Sequence, residues 1–144
     1  MIIPESSCPF CALNDPETTV YSDPLVQAVV SKRPVNRFHV IVVPRVHAER
    51  LSELPAQTAA AAVHAAQRIG RAISFAAQPD GITYITEDDL TGQGYNLVAH
   101  WKLHIIARYS GDAVRLEWHR EDDPGNAERA GIASAIRPHV LAAT

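Results

Sequence analysis

The sequence predicts an α+β fold, with an antiparallel sheet of about five strands, one long helix packed on it and a second helix near the C-terminus. Three observations lead there. Short runs rich in β-branched residues recur between turn signals. One long stretch changes to Ala, Gln and Arg with apolar residues at helical spacing. The chain has 144 residues, 47% of them hydrophobic and 20% charged, which suits a single domain spanning 1–144 with one substantial core.

The elements follow in order. Runs 18–22 and 25–31 look extended, and Asp23-Pro24 divides them as a tight turn would. The β-branched stretch 38–43, flanked by Pro34 and Pro44, reads as a buried strand. Ala59, Val63, Ala66, Ile69 and Ile73 follow a helical period, so a helix is expected from Pro55 to about Ala77, with Gln78-Pro79-Asp80-Gly81 as its stop. A short strand at 82–86 leads into an acidic, glycine-containing loop at 87–94, the kind of segment that often lines a site.

The run 98–107 is the most informative. Ala99, Trp101, Leu103, Ile105 and Ala107 alternate with His100, Lys102 and His104. On a strand that pattern puts the apolar set under a helix and the three basic groups together on the opposite face. Ser110-Gly111-Asp112 should turn the chain into a further strand at 114–118, and a final helix is expected from Asn126 to about Ala143, interrupted by Pro138.

The net charge is −3 and the basic residues are scattered, which argues against a nucleic-acid polymer as partner while leaving small anions open. No apolar run approaches the roughly 20 residues of a membrane span. The first ten residues lack the charged and apolar regions of a signal peptide, so a cytoplasmic location is expected.

Both cysteines fall in Cys8-Pro9-Phe10-Cys11. The pair reads as a metal clip, a redox dithiol or two incidental thiols, since two thiolates need further ligands to hold zinc. A glutaredoxin-like dithiol wants a strand before the motif and a helix starting at it. Only seven residues precede Cys8, and Asn14-Asp15-Pro16 interrupts any following helix. His64, His119 and His139 carry no pattern and read as structural or solvent-exposed. Two histidines flanking a lysine on one strand face are harder to explain by packing, which favours Val or Ile there.

From Cys8 to Arg108 the order of features resembles the histidine triad (HIT) superfamily, in its zinc-containing, bacterial-type form. The matching pieces are the early Cys-x-x-Cys, Val35-Asn36-Arg37-Phe38-His39 leading to Pro44 with His47 and Leu51 beyond, the long helix, and a strand ending His104-Ile105-Ile106-Ala107-Arg108. The family pattern His-φ-His-φ-His, with φ apolar, here reads His100-Trp101-Lys102-Leu103-His104.

The resemblance implies a HIT-like fold, a homodimer joined sheet edge to sheet edge, for which strand 114–118 is the expected edge, and a nucleoside mono- or polyphosphate ligand. It implies zinc held by Cys8, Cys11, His47 and His100, a closed Cys2His2 set suited to a structural ion. The family's nucleophile, the middle histidine, corresponds to Lys102, and the histidine at the scissile phosphate to His104. Asn96 or Gln93 would supply the loop donor to phosphate, with Tyr95 where a glycine is common. Ser31 and Asp23 would contact ribose or base.

Lysine is nearly all ammonium at neutral pH and attacks phosphorus only after losing a proton. As a cation it is a fixed counter-charge for phosphate. The expected function is therefore nucleotide binding without the family's usual turnover. The alternative is a nucleotide hydrolase or nucleotidyl transferase attacking the α-phosphate through Lys102. A third reading pairs Lys102 with Asp88 or Asp89 and leaves the pocket without a ligand.

Overall fold

Short runs rich in β-branched residues build the sheet, and the computed structural model shows five antiparallel strands: β1 (Thr19–Ser22), β2 (Val26–Val30), β3 (His39–Pro44), β4 (Gly81–Ile85) and β5 (Leu103–Arg108). Their order is β1-β2-β3-β5-β4, so β5 inserts between β3 and β4. The structure describes residues 7–94 and 96–142. Tyr95, the helix end expected near Ala143, and the first six residues lie outside them. The described chain falls into two compact units that meet between Val114 and Arg115 in sequence.

In the first unit, one sheet face carries Val26, Ala28, Val40, Val42, Leu103, Ile105 and Ala107. These pack with Ala62, Ala65, Ala66, Ile69 and Ile73 of the long helix α1 (Ala56–Ala77). Small alanines let the helix sit close to the sheet, and the apolar stripe recurs at the expected period. Pro55 precedes the first turn, and Gln78 closes the helix in a left-handed conformation (φ 46°), with Pro79 barring continuation. By alternation, Gln27, Val29, His39, Ile41, His104 and Ile106 occupy the opposite face, with Ile41 paired to His104 and His39 to Ile106.

Two expectations are corrected. The run 98–107 is not one strand, because β5 begins only at Leu103. Upstream, the His100 amide donates to the Val98 carbonyl (2.8 Å) and the Trp101 amide to the Ala48 carbonyl (2.6 Å), so the backbone leaves the ladder before His100. The apolar residues Ala99 and Trp101 are nevertheless buried as alternation predicts. Residues 114–118 form no strand either. The Val114 amide donates to Asp112 and its carbonyl accepts from Arg108 (3.1 Å each), which occupies the groups a ladder would use. The outer strands of the sheet are β1 and β4, so the expected dimer edge at 114–118 has no strand to supply it.

The second unit contains α2 (Asn126–Ala142), entered through Gly125 at φ 91° and carrying Pro138 in its interior. Ile132, Ile136 and Val140, spaced four apart, are exposed along it. No helix among the described residues is long and apolar enough to cross a membrane.

Candidate functional site

The departure of residues 98–102 from the ladder serves His100. Its ring is fully buried, and its Nε2–H donates to the Pro44 carbonyl at the end of β3 (2.9 Å). That bond fixes the tautomer and leaves Nδ1 as a lone-pair donor directed at the cysteines. Cys8 Sγ stands 3.4 Å and Cys11 Sγ 3.6 Å from this nitrogen, and Cys11 Sγ is 3.1 Å from Nδ1 of His47.

All four donor atoms lie within 4.8 Å of one another. Ligands of one tetrahedral ion at zinc-like bond lengths stand about 3.5 Å apart, so the separations fit a single metal ion. Cys8, Cys11, His47 and His100, singled out from the sequence, are thus brought together as a Cys2His2 metal-binding group.

Lys102 lies beside this cluster and is almost wholly buried. Its ammonium donates to Asn96 Oδ1 and to the Val98 carbonyl, each at 2.8 Å. The Phe10 ring covers it, with Nζ 5.4 Å from the ring centroid. An ammonium has three N–H donors, and two oxygens and one π face engage them. Burial pushes Lys102 down to about 8, opposed by the charge of Cys8. The third reading of Lys102 is corrected here: Asp88 accepts from the Leu51 amide and Asp89 from the Thr91 amide, and no ion pair of Lys102 occurs among the described residues.

His104 is the one triad residue that β5 itself presents. Its Nδ1 is 2.9 Å from Nε2 of His39, a buried residue on the neighbouring strand. Burial first, then repulsion from His39 and Lys102, lowers His104 to about 4, and burial lowers His39. His39 escaped the sequence reading because it opens a strongly apolar strand and its partner is 65 residues away. The signal available was a histidine opening the neighbouring strand, on the same face as His104 and two register positions from it.

The remaining predicted residues are placed as follows. Asn96 is buried against Lys102, while Gln93 is exposed in the 87–94 loop, its amide donating to Thr91. Ser31 donates its amide to the His39 carbonyl (2.9 Å), and its hydroxyl accepts from the Arg33 amide. Asp23 caps the β1–β2 turn, its carboxylate accepting from the Leu25 and Val26 amides and from the Tyr21 hydroxyl. His64, His119 and His139 are exposed, as expected of histidines without a pattern.

A sequence model of the HIT domain matches residues 12–111. Protein hit of Bacillus subtilis is 31% identical over 136 residues, covering 90% of this chain and 92% of its own. The bifunctional bis(5'-adenosyl)-triphosphatase/adenylylsulfatase FHIT of Arabidopsis thaliana is 31% identical over 68% of this chain, which spans 53% of that relative. Among solved structures, a HIT family member from Bacillus subtilis superposes with a TM-score of 0.79 at 28% identity, covering 92% of this chain and 96% of that one. A Zn-bound histidine triad family protein from Mycobacterium smegmatis superposes at 0.66 with 26% identity, covering 96% and 99%.

Proposed function

The chain belongs to the HIT domain family, and from there we propose that it binds nucleoside mono- or polyphosphates without the turnover usual in that family. The engagement of Lys102 carries this reading. A nucleophile needs a lone pair directed at phosphorus, whereas this ammonium donates its hydrogens to Asn96 and Val98 under the Phe10 ring. Because Asn96 accepts through its oxygen, its amide nitrogen remains a donor for a phosphate oxygen. His104, held neutral with Nδ1 toward His39, offers Nε2 to the same region. Lys102 adds a fixed positive charge behind both. A relative whose name records bis(5'-adenosyl)-triphosphatase chemistry supports the ligand class.

Cys8, Cys11, His47 and His100 would hold zinc, in keeping with their donor set and with a zinc-bound relative of the same fold. Four protein ligands leave no open position, so the ion would tie the Cys8–Cys11 loop to the end of β3 and to His100 and would take no direct part in the chemistry.

The test combines calorimetry with AMP and bis(5'-adenosyl) triphosphate, chromatography for product, and intact mass. Binding with no product and no added mass is expected, together with gained hydrolysis in Lys102→His. A nucleotidyl adduct on Lys102, or product from the unaltered chain, would restore the hydrolase or transferase alternative. Absence of binding heat with both nucleotides would remove the nucleotide reading altogether.

A further inference from the structure

Phe10 lies between the two cysteine ligands and touches both halves of the site. Its ring centroid is 5.8 Å from that of His100 and 5.4 Å from the Lys102 ammonium. The metal-binding loop therefore forms one wall of the Lys102 pocket. Asn96 and Val98 form the other.

The described residues before β1 contain no strand and no α-helix. Besides the thiol contacts, the hydrogen bonds of this segment include a Leu13 amide to the Phe10 carbonyl (3.3 Å) and Gln27 Nε2 to the Leu13 carbonyl (3.3 Å). Leu13 lies beyond both cysteines. Phe10 is thus flanked on both sides by cysteines that meet His47 and His100.

We propose that Phe10 is a positioning residue through which metal loading sets the state of Lys102. With the metal bound, the loop is closed and the ring lies over the ammonium, which stays on Asn96 and Val98. When the metal leaves, Cys8 and Cys11 lose their common partner, the ring lifts, and Lys102 becomes accessible. The extension to ligand affinity rests on the nucleotide reading above, while the Phe10–Lys102 coupling does not.

The chain supplies its own control, because its two lysines are Lys102 and the exposed Lys32. Brief acetylation with an amine-reactive reagent, read by peptide mass spectrometry as the Lys102:Lys32 ratio, reports the pocket without any nucleotide. In the zinc-loaded full chain, Phe10→Leu should keep one zinc per chain and raise that ratio roughly ten-fold, the scale of one lost desolvated cation–π contact. Phe10→Tyr should hold the ratio at the level of the unaltered chain, and zinc removal from the unaltered chain should raise it.

A Phe10→Leu ratio equal to that of the unaltered chain, with zinc bound, would overturn the proposal. So would a ratio that zinc removal leaves unchanged. AMP affinity should fall in parallel in Phe10→Leu. Should AMP bind neither form, the nucleotide reading fails while the acetylation ratio still decides the coupling.

Discussion

His39 Nε2 and His104 Nδ1 face each other at 2.9 Å across strands β3 and β5, and a third group sets the direction of that bond. The Val35 amide donates to His39 Nδ1 (3.1 Å), so in neutral His39 the proton sits on Nε2 and is donated to His104. His104 then carries its own proton on Nε2, as a donor. A backbone amide in the β2–β3 loop thereby settles what a side chain on β5 can offer.

Acid should weaken this arrangement. Burial holds His39 below the ordinary imidazole value, and burial with repulsion from His39 and Lys102 holds His104 near 4. Between about 4 and 6.5 the unfolded chain binds more protons than the folded one, so stability rises with pH across that window and flattens above it. Urea midpoints should fall as pH drops from 6.5 to 4.5, with His104 accounting for up to a few kcal/mol of that loss. His104→Gln should flatten the slope; an equal slope in the variant would refute the assignment.

Lys102→Met replaces the cation with an apolar chain of similar length and takes the donor from Asn96 Oδ1, while the Val98 carbonyl keeps the His100 amide. An unsatisfied buried acceptor such as Asn96 Oδ1 costs roughly 2 kcal/mol, so the variant should unfold at lower urea with an unchanged m-value. A rise in stability would show that the hydrogen bonds of the ammonium do not hold Asn96 and Val98 in place.

Removing the metal should lower Tm by about 10 °C or more, because the Cys2His2 group joins segments far apart in the chain and the ion binds only the folded form. Thermal scans with zinc and with a chelator, alongside elemental analysis expected to return one zinc per chain, check this. Cys8→Ser should behave like the chelated protein. Identical scans in both conditions would leave the four residues without a structural ion.

Gly70 in α1 faces Tyr84 of β4. A methyl group added at Gly70 would overlap the tyrosine hydroxyl and stand 3.1 Å from Cζ. Gly70→Ala alone should destabilise the protein, although alanine is favoured over glycine in a helix by about 1 kcal/mol. In a Tyr84→Ala background the same substitution should stabilise by about that amount. The double-mutant cycle measures the coupling, and additivity would contradict it.

The sequence was most readable where physical constraints were local. Helix α1 and strands β1 to β3 match expectation to within a residue or two, because the alanine-rich period, Pro55, Asp23-Pro24 and Pro44 each mark a boundary within a few residues. Scarce cysteines drew attention to Cys8 and Cys11, but their chemistry stayed open on the residues alone, and His47 and His100 joined them only through the resemblance to the HIT superfamily. The path of 98–102 was not, since Ala99 and Trp101 are buried whether the backbone is a strand or a turn. What bends it is the Pro44 carbonyl, 56 residues away, which takes the His100 ring. His39 was missed for the same reason, and 114–118 was misread because β-propensity cannot reveal that Arg108 and Asp112 claim the Val114 backbone.

The acceptor that orients His100 is a main-chain carbonyl, and this makes the two halves of the site unequal under mutation. Any residue at position 44 that preserves the end of β3 still presents that oxygen, so the imidazole keeps its tautomer whatever side chain stands there. Lys102 depends instead on the side chains of Phe10 and Asn96, together with one carbonyl. Single substitutions at Phe10 or Asn96 therefore change the surroundings of Lys102, while the bond that orients His100 stays in place.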